Sequence, residues 1–283
     1  MNPFSRVMEN HQKCRSGNGK IVTYIADNYL YPTSMEKLVY TSQLLQAEAI
    51  RHGVEHFRRI RGICMGSLYW QLNDCWPVAS WSSIDYFGRY KALHYAARKF
   101  YAPVAMVTFL EDDVLTVNVS NERMDAFWGS VRVDFCKNDF TVIDSTEVNV
   151  TVKKLSSADV LVLELPVLER YSDYIAVYLF DENGTELRRQ TQLMVKPKHF
   201  GYEDPHIRTV LTQRDGGVEI RLTAECFANA VEIDFRNLDC RLTDNFFDIT
   251  GGDPVCVFAS TGHSVQELEK ELIIRSVYDI GIA

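Results

Sequence analysis

The chain has 283 residues, 46% of them hydrophobic, 24% charged and 12% aromatic, and its 23 glycines and prolines are too few for a disordered or collagen-like polypeptide. The net charge of −8 is unevenly held: residues 1–101 carry 13 Lys/Arg against 7 Asp/Glu, and residues 102–283 carry 17 against 31. A boundary near residue 101 is therefore expected. No apolar run reaches the roughly 18 residues of a membrane span, no signal-peptide core opens the chain, and the basic residues are scattered rather than banked, so neither membrane nor nucleic acid is expected as a partner.

Residues 1–31 lack clear periodicity, and Ser16-Gly17-Asn18-Gly19 reads as a loop. Pro32 leads into Thr33-x-x-Glu36, a capping box. From there Leu38, Leu45, Ala49 and Phe57 fall at helical spacing. The basic Arg58, Arg59 and Arg61 suit a helix C-terminus, with Gly62 as its cap. Ile63–Leu72 is short and almost continuously apolar, the pattern of a strand buried on both faces of a parallel sheet. A loop rich in Trp and Ser follows, then a helix from about Lys91 to Tyr101, stopping before Pro103.

Beyond Pro103 the period changes to two. Runs at 104–110, 114–119, 131–135, 146–152, 160–165, 174–180 and 187–195 predict seven short strands, with Asp181-Glu-Asn-Gly184 suiting a hairpin turn. This is the pattern of an immunoglobulin-like sandwich. Lys196-Pro197-Lys198 reads as a linker. A second set at 207–211, 218–222, 230–235, 246–249, 255–259 and 272–277 predicts another sandwich, its first hairpin turning at Asp215-Gly-Gly217. A (β/α)8 barrel needs about 250 residues, so the helix–strand–helix of the first hundred cannot close one. The expected fold is mixed: residues 1–101 as the C-terminal part of a TIM barrel, then immunoglobulin-like β-sandwiches over 102–197 and 198–283.

Three of the four tryptophans lie at 70, 76 and 81, around Asn73-Asp74. Indole rings accept the apolar C–H faces of a sugar, while amide and carboxylate groups bind its hydroxyls. Barrel active sites gather at the C-terminal ends of strands. Read alone, the tryptophans are better taken as core and Asn73-Asp74 fits a plain turn. His52-Gly-Val-Glu-His56 matches the H-x-x-E-H zinc pattern, but five residues are a cheap coincidence. Gly17-Asn-Gly-Lys20 lacks the first glycine and the Ser/Thr of a phosphate loop. Seven cysteines with no C-x-x-C pair suggest free thiols in a reducing, cytoplasmic compartment.

The stretch Gly66-Ser-Leu-Tyr-Trp-Gln-Leu-Asn-Asp-Cys-Trp-Pro-Val-Ala-Ser-Trp-Ser-Ser-Ile-Asp-Tyr86, then Lys91-Ala-Leu-His-Tyr95, closely resembles the β-mannosidases of glycoside hydrolase family 2. Val39-Tyr-Thr-Ser-Gln-Leu-Leu-Gln-Ala-Glu-Ala49 and Glu55-His-Phe-Arg-Arg59 look like that family's preceding barrel helix. Lys196-Pro-Lys198 and Asn245-Phe-Phe-Asp248 resemble its C-terminal sandwiches. The resemblance implies a retaining, exo-acting hydrolase that removes terminal β-linked mannose without metal or organic cofactor. Such hydrolysis uses two carboxyl groups about 5–5.5 Å apart. In the family both are glutamates on earlier barrel strands, so no catalytic residue maps onto this sequence; Glu36, Glu48 and Glu55 match helix positions.

What the resemblance does carry over is the wall of a sugar pocket. Trp70 corresponds to the aromatic residue ending the eighth strand, and Asn73 and Asp74 to the loop behind it, for hydroxyl contact or orientation. Trp76 and Trp81 shape the pocket mouth or hold the loop, and His11 lies in the stretch approaching the site. The expected partners are a β-mannoside and the remainder of the barrel, with self-association of the fragment as a further expectation. Alone, the chain is expected to be catalytically incomplete. Two other readings stay open: a non-catalytic carbohydrate-binding or adhesive sandwich module, and a family 2 glycosidase of different sugar specificity.

Overall fold

The computed structural model describes residues 2–282. Its first third is helical: α1 (Arg6–Asn10), α2 (Gly17–Asn28), α3 (Met35–Arg59) and α4 (Ala92–Phe100). No helix among the described residues is long and apolar enough to cross a membrane. All seven cysteines are free thiols.

Helix α3 starts one residue later than the predicted capping box. Ser34 Oγ accepts the Lys37 backbone N–H at 3.2 Å, whereas the Thr33 hydroxyl donates to the Ile282 carbonyl at 2.6 Å. A tertiary partner thus takes the hydroxyl that spacing assigned to the cap. At the other end the helix stops at Arg59, three residues before the predicted cap; Gly62 adopts φ +102° beyond it, a left-handed conformation that glycine enters without a Cβ penalty. Helix α2 corrects the loop reading of residues 16–19. Glycine and asparagine are weak helix formers, yet Asn18 is buried. Its side chain donates to the Pro3 carbonyl at 2.8 Å and accepts from Gln12 Nε2 at 2.9 Å. Buried anchoring outweighs propensity.

The larger correction is Ile63–Leu72. The run is not a strand but an irregular segment, with Leu68 fully exposed and Ile63 88% exposed. A β-strand is held by neighbours that take its N–H and C=O groups; at the end of the run the Gln71 and Leu72 carbonyls accept from the Ser83 and Ile84 N–H groups, but among the described residues no strand pairs along it. The apolar pattern survives; the ladder that would bury it does not form.

Seven antiparallel strands follow: β1 (Val104–Glu111), β2 (Val114–Asn121), β3 (Phe127–Cys136), β4 (Val142–Val152), β5 (Ser156–Glu164), β6 (Tyr174–Asp181) and β7 (Glu186–Leu193). They form two sheets, β1-β2-β5 and β4-β3-β6-β7. Val117, Val131, Val133, Val177 and Leu179 from both sheets meet in one fully buried core. That is the sandwich predicted from the alternation. The β6–β7 turn is fixed by Asp181 Oδ1, which accepts from the N–H groups of Asn183 and Thr185 at 2.9 and 2.8 Å, with Gly184 at φ +78°.

Gly129 on β3 permits a close approach: a Cβ there would lie 2.1 Å from the Phe180 carbonyl oxygen and 2.7 Å from Phe127 Cζ. Gly129→Ala should therefore destabilise this sandwich by about 3 kcal/mol, since backbone cannot yield as a flexible side chain can. An unchanged urea midpoint would show that the strands do not approach this closely.

The second sandwich comprises β8 (Arg208–Arg214), β9 (Gly217–Thr223), β10 (Ala228–Phe235), β11 (Arg241–Leu242), β12 (Phe247–Ile249), β13 (Val255–Ser260), helix α5 (Val265–Glu271) and β14 (Leu272–Arg275). Its sheets run β11-β13-β9-β8 and β12-β10-β14. The β8–β9 hairpin turns at Asp215-Gly216, with Gly216 at φ +79°. Sequence reading missed two elements here, the two-residue β11 and α5. The latter carries a full capping box between Ser264 and Glu267, a signal present in the sequence as Ser-x-x-Glu.

The chain divides into two compact units. One comprises Met1–Ala47, Trp70–Tyr95 and Tyr202–Ala283; the other comprises Glu48–Tyr69 and Ala96–Gly201. Helix α3 contributes to both. In the first unit Tyr40 and Leu44 join Ile25, Tyr29, Ala92, Val277 and Ile280 in a buried cluster, and the Tyr40 hydroxyl donates to the Ala230 carbonyl at 2.7 Å. In the second, Arg58 donates to the carbonyls of Phe100 and Ala102 at 2.7 and 2.8 Å, and Arg59 lies 4.0 Å over the Phe109 ring. Glu55, the carboxylate of the H-x-x-E-H run, is buried there and paired with Arg51 at 2.7 Å and Arg188 at 3.8 Å. A structural ion pair accounts for its place on the helix.

Candidate functional site

The Trp- and Asp-containing segment 70–91 lies wholly in the first unit and is folded around one carboxylate. Asp74 is 6% exposed. Its Oδ1 accepts from Ser80 Oγ at 2.6 Å and from Gln71 Nε2 at 3.3 Å. Its Oδ2 accepts from Ser82 Oγ at 2.5 Å and faces Lys91 Nζ at 3.6 Å. Lys91 also donates to Ser82 Oγ at 2.7 Å. Four residues spread over twenty positions converge on one group, so the loop closes on itself.

Burial alone would push the Asp74 carboxyl up, but the hydroxyls of Ser80 and Ser82 and the Lys91 ammonium outweigh it and hold the group below the usual carboxylate range. Lys91 is lowered in turn by its own burial, against the pull of Asp74. An aspartate kept ionised in this way is an acceptor and an anchor rather than a proton donor. The other carboxylate of the loop, Asp85, is also occupied: Oδ1 accepts from the N–H groups of Phe87 and Arg89, and Oδ2 from Arg89 Nε at 2.7 Å. Neither is placed as a general acid.

Around this anchor stand the residues singled out by sequence. Trp70 and Trp81 are 75% and 54% exposed, with the Trp81 carbonyl tied to Gln46 Nε2 at 2.8 Å. The peptide Trp70–Gln71 is cis. Asn73 is exposed and bridges to Ile84 through its backbone, while its carbonyl accepts from Gln71 Nε2 at 3.1 Å. Trp76 is half-buried, stacked on His11 with ring centroids 5.2 Å apart, and Lys13 Nζ lies 4.8 Å above it. His11 Nδ1 reaches the Pro77 carbonyl at 2.7 Å. Thus Trp76 and Asp74 hold the loop, while Trp70, Asn73 and Trp81 face outward.

Sequence reading missed Gln71, Ser80, Ser82 and Lys91, which fix Asp74. Nothing in their spacing marks them; they are gathered by the fold of the loop. Beside the loop a cavity of about 630 Å³ is bounded by Met8, Tyr24, Leu38, Gln46 and Trp81. Its walls are mainly apolar, with a few polar groups, the usual make-up of a small-molecule cleft.

Comparison with known proteins gives this chain relatives along most of its length. Residues 113–199 match the Mannosidase Ig/CBM-like domain and residues 202–280 the Ig-fold domain of the Ig_mannosidase family. Along most of its length the chain is similar to "Beta-mannosidase B" of Thermothelomyces thermophilus (27% identical, covering 91% of this chain and 34% of the relative) and to the β-mannosidase of Capra hircus (29%, 93% and 33%). The chain thus spans about a third of the length of these curated relatives. Among solved structures, the β-D-mannosidase of Dictyoglomus thermophilum shares the fold with a TM-score of 0.88 at 24% identity, over 97% of this chain and 34% of that one. An exo-β-D-glucosaminidase structure follows it less closely, with a TM-score of 0.71 at 18% identity, over 98% of this chain and 38% of that one. Both immunoglobulin-like domains thus match mannosidase-type family models, and along most of its length the chain is homologous to β-mannosidases, which are glycoside hydrolases.

Proposed function

We propose that this chain is part of a retaining exo-β-mannosidase. It contributes one wall of the pocket for a terminal β-linked mannose, together with two non-catalytic sandwiches. The observation that carries the reading is the chain-long similarity to β-mannosidases, which takes in the loop 70–91 as well as the sandwiches. In this reading Trp70 and Trp81 offer indole faces to the sugar, Asn73 offers its amide to a hydroxyl, and Trp76 and Asp74 fix the loop that presents them. The nucleophile and the acid/base are supplied by residues outside these 283, since both carboxylates of the loop are committed to holding it together. The exposed run Ile63–Leu72 would then pair with barrel strands from the rest of the protein, which explains its apolar composition.

Assay of an aryl β-mannoside tests this. The purified 283-residue chain should give no turnover above background. Joined to the upstream two-thirds of a β-mannosidase relative, it should restore hydrolysis with retention at the anomeric carbon. Robust turnover by the chain alone would overturn the assignment of both carboxylates to other residues.

A further inference from the structure

Within the first unit a second cavity, of about 950 Å³, opens between the turn 85–90 and the β10 and β14 strands of the second sandwich. Three features define what it would accept. Charged side chains of both signs line it, five acidic and five basic, and the inner ones pair with each other. Arg275 Nε meets Glu232 at 2.7 Å, Arg275 Nη2 meets Asp234 at 3.1 Å, and Arg89 meets Asp85 at 2.7 Å. The groove is thus polar without net charge, which disfavours a charged ligand.

Its rim also carries an aromatic surface that faces solvent. Phe87 is 63% exposed, held on a turn in which Asp85 accepts two backbone N–H groups and Gly88 takes φ +86°. The Arg89 guanidinium lies 5.1 Å from the Phe87 ring, and that of Arg241 lies 5.4 Å from Tyr90. Finally, the strand beneath is closed to an added peptide strand at Ile233. There the Asn245 side chain already takes both backbone groups, Ile233 N at 2.8 Å and Ile233 O at 2.9 Å.

We infer that this groove binds an uncharged oligosaccharide, stacking a pyranose ring on Phe87 and bonding its hydroxyls to Arg241 and the carboxylates of the rim. Apolar C–H faces need an aromatic platform and hydroxyls need donors and acceptors together, and the groove supplies all three at once. That the sugar is mannose rests on the proposed function; the location does not.

Titration calorimetry of the 283-residue chain with a short β-linked manno-oligosaccharide, and separately with a cello-oligosaccharide, tests the site. Phe87→Ala and Arg241→Ala alter exposed side chains and should each weaken binding roughly tenfold, with the melting temperature of the chain unchanged. Trp128→Ala, at an exposed tryptophan of the first sandwich, should leave it unaltered. Binding of the cello- but not the manno-oligosaccharide with the same sensitivity would uphold the groove while counting against mannose as the sugar. Absence of binding by either saccharide would overturn the inference. So would loss of binding in Trp128→Ala or Trp70→Ala with Phe87→Ala and Arg241→Ala unaffected.

Discussion

Replacing Asp74 with alanine is expected to lower the stability of the first unit by about 3 kcal/mol, because it removes the acceptor of the buried Ser82 and half-buried Ser80 hydroxyls and leaves the Lys91 ammonium without its nearest counter-charge. Three of the four tryptophans of the chain lie at 70, 76 and 81, so urea unfolding followed by tryptophan emission reports mainly on this loop. The midpoint should fall and the emission should shift red before global unfolding. Asp74→Asn keeps the shape but turns an amide N–H₂ toward donors, and should recover only part of the loss. A double change, Asp74→Ala with Lys91→Met, should cost less than the sum of the two single changes, since it no longer strands a buried charge. Equal midpoints for wild type and Asp74→Ala would show that the loop is held by something else. The acid dependence follows from the lowered pKa. The stabilisation from Asp74 is present above the unfolded carboxylate value and is lost as pH falls through the folded one.

The opposite sign is expected at Glu232. This carboxylate, on β10 and 7% exposed, is pushed up to about 7, first by burial, against the attraction of Arg275 and with help from the negative Asp234. Its unfolded value is 4.5, so the folded state holds its proton more tightly. The corresponding stability is full below pH 4.5 and is lost as pH rises through about 7. The total swing is roughly 3 kcal/mol. The first unit should therefore lose stability between pH 5 and pH 8. Glu232→Gln, which stays uncharged and still accepts from Arg275, should flatten that stretch of the curve. A stability profile that rises over this range, or one left unchanged by Glu232→Gln, would refute the assignment. The Tyr40 ring, which Arg275 overlies at 6.0 Å, gives a local probe through near-ultraviolet circular dichroism.

Both effects concern groups whose importance could not be read from spacing. Asp74 stands out in sequence beside Asn73 and among tryptophans, and its place in the loop was legible. Its partners were not, because Ser80, Ser82 and Lys91 are ordinary polar residues until the chain turns back on itself. Glu232 gave no signal at all: it lies in an alternating strand, and only the fold sets Arg275 opposite it and buries it. Trp76 shows the converse. Its residue type and place allowed either the pocket mouth or the support of the loop, and only the structure shows His11, from a stretch with no evident periodicity, stacked on one face of its ring.

The fold itself divides along the same line. Thirteen of the fourteen strands among the described residues could be placed because a sheet with one buried face imposes a period of two on the chain, and that period is visible without any partner. Helices α3 and α4 could be placed for the corresponding reason at 3.6. What tertiary structure alone decided was everything that depends on who lies alongside. Residues 63–72 have the composition of a buried strand, yet without neighbours to complete a ladder they run irregular and exposed. The loop-like Gly17-Asn-Gly19 becomes helix because Asn18 finds buried partners. Length and charge marked a boundary near residue 101. Packing instead divides that first third between two units, because a helix docks where its exposed apolar and charged groups find complements, and composition does not record where those complements are.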